Sequence, residues 1–158
     1  MIAIVGILAS IGVVVFRHAR VQGAEVSAMA SLRAIQQAQF AFAQACGNQR
    51  YAPTLAGLGT PLATTGQAFL SPDMAADPLV KSGYTFVMAG TVVTDDGLTC
   101  TGVSPVMSYQ VTADPVVPGV TGLRYFATNT DRVLYEDQVS FKNNMPETGA
   151  PGHGREVK

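Results

Sequence analysis

The sequence predicts an α+β fold, in which one long N-terminal helix lies on a C-terminal antiparallel β-sheet of about four strands. Three observations carry that expectation. No proline occurs before Pro53, so nothing forces a break in a helix over residues 1–46. From Gly83 onward, apolar and polar residues alternate in short runs separated by turn residues. The only two cysteines, Cys46 and Cys100, fall at the end of the first region and within the second. The chain's 158 residues suit one domain with a modest core. Its apolar fraction of 47% and charged fraction of 13% fit a subunit that buries much of itself in neighbours. A net charge of -1 provides no overall field for nucleic acid.

The helix has two chemically different halves. Residues 1–16 (MIAIVGILASIGVVVF) carry no charge, and only Ser10 is polar, so this half belongs in lipid or in a bundle of like helices. Ile4, Ile7, Leu8, Ile11, Val14 and Phe16 supply its apolar surface. Gly6, Ala9, Ser10 and Gly12 are small enough to let a second helix approach closely. Arg17, His18 and Arg20 then mark a water boundary. Residues 17–46 read as amphipathic, with Leu32, Ile35, Phe42 and Cys46 recurring on one face and Gln39 filling the remaining position. Leu32, Ile35 and Phe42 are the expected contacts of helix on sheet. Phe40, two positions from Phe42, points elsewhere. Gly47-Asn48 supplies a stop.

The run Ile2-Ala3-Ile4-Val5-Gly6-Ile7-Leu8-Ala9-Ser10-Ile11 resembles the N-terminal helix of type IV pilins and pseudopilins. The likeness continues through Glu25, Leu32 and Ile35 to Tyr51, and past Tyr51 it rests on architecture. Aligning Gly6-Ile7-Leu8-Ala9 with the family's GILA places Met1 inside the family pattern. The resemblance thus implies an upstream segment holding the cleavage site, a methylated N-terminal residue and a glutamate used in assembly. Length argues the same way: sixteen residues at about 1.5 Å each reach about 24 Å, and roughly eight more would span a hydrocarbon core of roughly 30 Å. A mis-assigned start, a truncated chain and a subunit that begins at Met1 are the three alternatives, of which the first is preferred. Arg17 and Arg20 would by themselves be drawn to the cytoplasm. A pilin needs them outside, so the upstream segment is expected to carry the stronger positive charge.

Residues 47–82 are rich in Gly, Pro, Thr and Ala and read as a connecting loop region packed over the helix, anchored by Tyr51, Leu55 and Leu58. The sheet is expected over residues 83–137. Tyr84, Phe86 and Met88 form the inward set of one strand, and Met107, Tyr109 and Val111 that of the next. Asp114-Pro115 and Pro118-Gly119 turn the chain toward a strand at Leu123 to Ala127, and Asn129-Thr130-Asp131 turns it into Val133-Leu134-Tyr135. Residues 138–158 have little periodicity and read as a partly disordered tail in which Phe141 is the one candidate anchor.

Cys46 and Cys100 have two states open to them: a disulfide that pins the helix end to the sheet, or buried thiols in a reducing cytosol. The apolar segment ahead of them and the absence of any further cysteine favour the disulfide, and with it export.

The residues that would carry chemistry are sparse. His18 and His153 are the only histidines, no nucleophile-base-acid set assembles, and the cysteines lack zinc or haem spacing, so neither an enzyme nor a cofactor is expected. Acids gather at Asp95-Asp96 and at Asp131, Glu136 and Asp137, without the carboxylate density that calcium prefers. Up to Ala52, Arg17, Arg20, Arg33 and Arg50 stand against the single acid Glu25 while the remainder is acidic, which reads as solvated surface charge in preference to a mild complementarity between the stem and head of neighbouring subunits.

The resemblance implies a structural protein, with a type IV pilus subunit as first choice and a type II secretion pseudopilin as runner-up. Its partners would be further copies of itself in a helical homopolymer, the inner membrane before assembly, and the pilus assembly machinery. It would end as an extracellular filament on a bacterial surface. A membrane-tethered monomeric binding domain is the alternative from another class.

Overall fold

The computed structural model describes residues 2–94 and 97–157, with side chains from Phe16 onward within that range. Helix α1 (Ile2–Ala45) is 44 residues long and unbroken. It stops where the N–H groups of Cys46 and Gly47 both return to the Phe42 carbonyl at 2.8 Å, and Asn48 and Gln49 then take positive φ. The connecting region adds one helical turn, α2 (Leu55–Leu58), which starts where the Thr54 hydroxyl accepts the Gly57 N–H at 3.0 Å. A 3₁₀ turn follows at Pro72–Met74.

The rest is a meander. Strands β1 (Leu79–Lys81), β2 (Tyr84–Val92), β3 (Val106–Pro115), β4 (Tyr125–Asn129), β5 (Leu134–Asp137) and β6 (Arg155–Glu156) lie side by side in chain order, every pair antiparallel. The α+β class with a single long helix stands, but the sheet has six strands rather than about four. The two additions are three and two residues long, too short to display an alternation. One of them, β1, lies in what reads as loop. It turns into β2 through Ser82 and Gly83, both at positive φ (51° and 81°), as a two-residue hairpin of the primed type requires.

Alternation holds along β2, where Tyr84, Phe86 and Met88 are buried. On β3 it holds from Tyr109 through Val111 and Ala113, but Met107, expected inward, is 53% exposed. The register supplies the reason. Gly90 faces Tyr109 while Val92 faces Val106, so β3 advances three positions as β2 advances two. That bulge inverts the phase and buries Val106 in place of Met107.

Helix α1 packs on β3, β4 and α2. Leu32, Ile35 and Phe42 are fully buried in a core shared with Leu55, Leu58, Phe86, Val111 and Phe126. Gln39, on the same stripe, is also fully buried. Its amide nitrogen donates to the Ala52 carbonyl and its amide oxygen accepts the Ala52 N–H, both at 2.9 Å, which satisfies the one polar member of the stripe. Tyr51 joins β3 through two 2.9 Å backbone bonds with Val106.

A smaller core of Ala127, Tyr135, Phe141 and Met145 covers the other face of β4 and β5. Residues of the tail build part of it, with Phe141 as the anchor that the sequence suggests. Phe141 and Met145 bury apolar surface there, β6 pairs with β5, and the Val157 N–H reaches the Leu134 carbonyl at 2.8 Å.

Candidate functional site

Three features bear on what the chain can do: the uncovered face of α1, the lock between α1 and the sheet, and the groove where the helix leaves the head. Phe16 to Arg20 are exposed, and the first buried position on the described part of α1 is Glu25. Farther along, Val26, Ala30, Arg33, Gln37, Phe40 and Gln44 are all exposed at alternating steps of four and three. That spacing puts them on one outer stripe, opposite the stripe facing the sheet. Within this stripe Phe40 has a cationic neighbour, the Arg132 guanidinium 4.9 Å from its ring centre.

The lock is electrostatic. Glu25 is 4% exposed, so its charge needs partners. One carboxylate oxygen accepts the backbone N–H of Leu123 at 2.9 Å and of Arg124 at 3.2 Å. The other accepts the Arg124 Nε and Nη2 groups at 2.9 and 2.7 Å. Arg124 also donates to Glu136 on β5, and Glu136 accepts Arg155 of β6 at 2.8 Å. Burial by itself pulls the Arg124 guanidinium down, but its bond to Glu25 and the charges of Glu25 and Glu136 outweigh that and raise it. A chain of alternating charges therefore ties helix, sheet and tail together. Solvated charge at Glu25 is thus a misreading: the position is interior. Beneath the lock, the Tyr84 hydroxyl donates to the Arg124 carbonyl at 2.8 Å, and burial pushes its phenol up. Gly122 leaves the space that Tyr84 fills, since a Cβ there would lie 2.0 Å from the Tyr84 oxygen.

The groove lies between the first exposed turns of α1, the β1–β2 hairpin and the loop before β4, and its volume is about 1140 Å³. Arg17, His18 and Arg20 line it from the helix, and Val120, Thr121 and Leu123 from the loop. Val120 is 68% and Leu123 57% exposed. The Ser27 hydroxyl donates to that of Ser82 at 2.8 Å, joining the two walls. Gly83 permits the close approach of the loop, because a Cβ there would lie 2.9 Å from the Thr121 Cβ.

At the far end of the helix Cys46 and Cys100 form a disulfide, with Cα atoms 5.0 Å apart. Of the residues proposed for helix-to-helix packing, Phe16 is 67% exposed. Ile4, Gly6, Ile7, Leu8, Ser10, Ile11, Gly12 and Val14 lie outside the residues whose side chains are described. Among the described residues no helix is long and apolar enough to cross a membrane, and no three His, Cys, Asp or Glu side chains gather as a metal-holding group. Of the acids noted in the sequence, Asp131 accepts the Gly149 N–H at 2.6 Å and Asp137 is bonded to His153, while Asp95 and Asp96 lie outside the described residues.

Compared with protein-family models, with curated proteins and with solved structures, the chain matches none. The helix on its sheet with a disulfide is compatible with a pilin-like fold.

Reading the sequence misses the roles of Arg124, which pairs with Glu25 across 99 positions of chain, and of Glu136 and Arg155, which extend the chain of charges beyond it. The one usable signal is Glu25 itself, a single acid in a stem of arginines.

Proposed function

We propose that this chain is the structural subunit of an extracellular filament of the type IV pilin kind, polymerising through α1. The observation that supports it best is the division of the helix. One unbroken helix of 44 residues begins with an uncharged segment, and on its described part the head buries no position before Glu25. A helix left exposed from Phe16 to Arg20 by its own head suits burial against other copies there. In this reading the apolar half is stored in the inner membrane and then passed by an assembly machinery into a helical array. Head-to-tail contacts that do not close extend that array into a filament. Its disulfide-pinned head forms the outer surface. A pseudopilin of type II secretion would work in the same way over a shorter assembly.

A second reading, a membrane-tethered monomer that binds a ligand, is favoured by the groove beside Arg17 and Arg20. Electron microscopy of material sheared from the source cells, with intact-mass analysis, separates the two. The pilin reading expects filaments built from this chain, with a methylated N-terminus and two hydrogens fewer for the disulfide. Recovery of the chain solely as a membrane-bound monomer would overturn it.

A further inference from the structure

The collar groove combines features that the filament reading leaves unused. Arg17, His18 and Arg20 occupy the first turn after the uncharged segment, all are exposed, and all line the groove. Among the described residues no carboxylate pairs with Arg17 or Arg20, and the nearest acid along the helix, Glu25, is held by Arg124. Facing these cations is a loop that brings the exposed Val120 and Leu123 to the rim of the groove, on either side of Thr121. Exposed apolar side chains beside unpaired guanidinium groups, at the point where an uncharged helix meets water, match the two chemistries of a bilayer's edge. Anionic headgroups neutralise the cations, and the acyl boundary accepts the apolar lip.

We propose that the groove binds the headgroup of an anionic phospholipid, and that this contact seats the head on the membrane before assembly. The proposal rests on the reading that the uncharged segment is held in a bilayer. Arg17 and Arg20 contact the phosphate as donors with fixed fork geometry. Val120 and Leu123 enter the acyl boundary beside it. The volume of about 1140 Å³ accommodates a headgroup together with the start of its chains. When the subunit leaves the membrane, the lipid is lost and the same cations and lip become available to a neighbouring copy.

The chain contains no tryptophan, so a single introduced one reports without background. The full chain carrying Val120→Trp is reconstituted into phosphatidylcholine vesicles with and without phosphatidylglycerol, some of them brominated on the acyl chains. Flotation is measured alongside fluorescence. The expected result is flotation with both compositions, but a blue shift and bromine quenching with the anionic one alone. Arg17→Gln with Arg20→Gln should abolish the shift and leave flotation intact, whereas Arg33→Gln, an exposed arginine of the outer stripe, should change neither. Emission that is the same in both compositions, or that responds equally to Arg33→Gln, overturns the groove as a headgroup site. The same shift produced in neutral vesicles by inorganic phosphate overturns the lipid as its occupant. Failure to float with either composition overturns the membrane reading beneath both.

Discussion

Glu25 and Arg124, 99 positions apart in the chain, meet so that both Nε and Nη2 of the arginine donate to one carboxylate oxygen, leaving the other for the backbone N–H groups of Leu123 and Arg124. The acid therefore holds a side chain and the loop carrying it in one grip. Removing it leaves two peptide N–H groups and a guanidinium without their acceptor. Because Arg124 keeps Glu136 and its side chain is 37% exposed, the loss should stay at the lower end for a buried pair. Glu25→Ala is expected to lower stability by about 2–3 kcal/mol. Urea unfolding with an unchanged m-value is the measurement, and a midpoint equal to wild type would show that the lock holds nothing.

The disulfide acts at the opposite end of the same helix. It closes a separation of 54 residues between Cys46 and Cys100. Opening such a loop should cost about 3–4 kcal/mol through the greater freedom of the unfolded chain. Cys46→Ala with Cys100→Ala should show that loss in a two-state melt. Unlike Glu25→Ala, it should leave the collar end of the helix protected from hydrogen exchange. Loss of protection first at residues 20–28 would contradict the assignment of the two fastenings to separate ends.

Which parts of this arrangement are legible in sequence depends on the range of the interactions. The stripe of Leu32, Ile35, Gln39 and Phe42 follows from a local period, and so does the inward set of Tyr84, Phe86 and Met88, because burial of one face imposes the spacing. Met107 is misassigned because a bulge is a property of two strands, and neither shows it alone. Strands β1 and β6 are held by their neighbours, not by their own pattern. The tail reads as frayed because Phe141 and Met145 have no periodicity, yet the second core needs only those two anchors. The collar is hidden for a further reason: Arg17 and Val120 become neighbours of one groove only once the loop before β4 is fastened to Glu25.

Gln39 offers a test of a polar group inside the apolar stripe. Its amide completes both backbone bonds of Ala52, and its nitrogen also approaches the Met88 sulfur at 3.4 Å. Gln39→Met keeps the volume and should add to apolar burial, but it strands the Ala52 N–H and carbonyl in a fully buried position. A net loss of about 1–3 kcal/mol is expected, with weaker hydrogen-exchange protection at Ala52. A gain in stability would mean that the backbone there finds water.

Acid should release the tail before it unfolds the head. The hydrogen bond from His153 holds the Asp137 carboxyl below its ordinary value, and the Gln138 N–H adds to this. A depressed carboxylate contributes stability that is complete above its unfolded value of about 3.9 and is lost as pH falls through the lower folded one. His153 also stacks on Phe141, with ring centres 4.8 Å apart, so protonating Asp137 weakens the anchor of the second core. Between pH 5 and pH 3 the wild type should lose more stability than Asp137→Asn, whose side chain does not titrate. Equal losses would remove Asp137 from the account.

The outer stripe of α1 lets the proposed assembly be tested apart from stability, because its exposed residues contribute little to the fold of a single copy. Val26 is 59% exposed and one position from the buried Glu25, so the two side chains divide the helix between its outer face and the head. Val26→Glu should therefore shift the unfolding free energy by no more than about 0.5 kcal/mol. In a filament the same position would bring an uncompensated charge into an apolar contact between copies. The filament reading expects monomers that fold normally and filaments that become rare or absent by electron microscopy. Filaments of wild-type abundance would mean that copies do not meet along this stripe. A large loss of monomer stability would instead mean that Val26 faces the chain's own head.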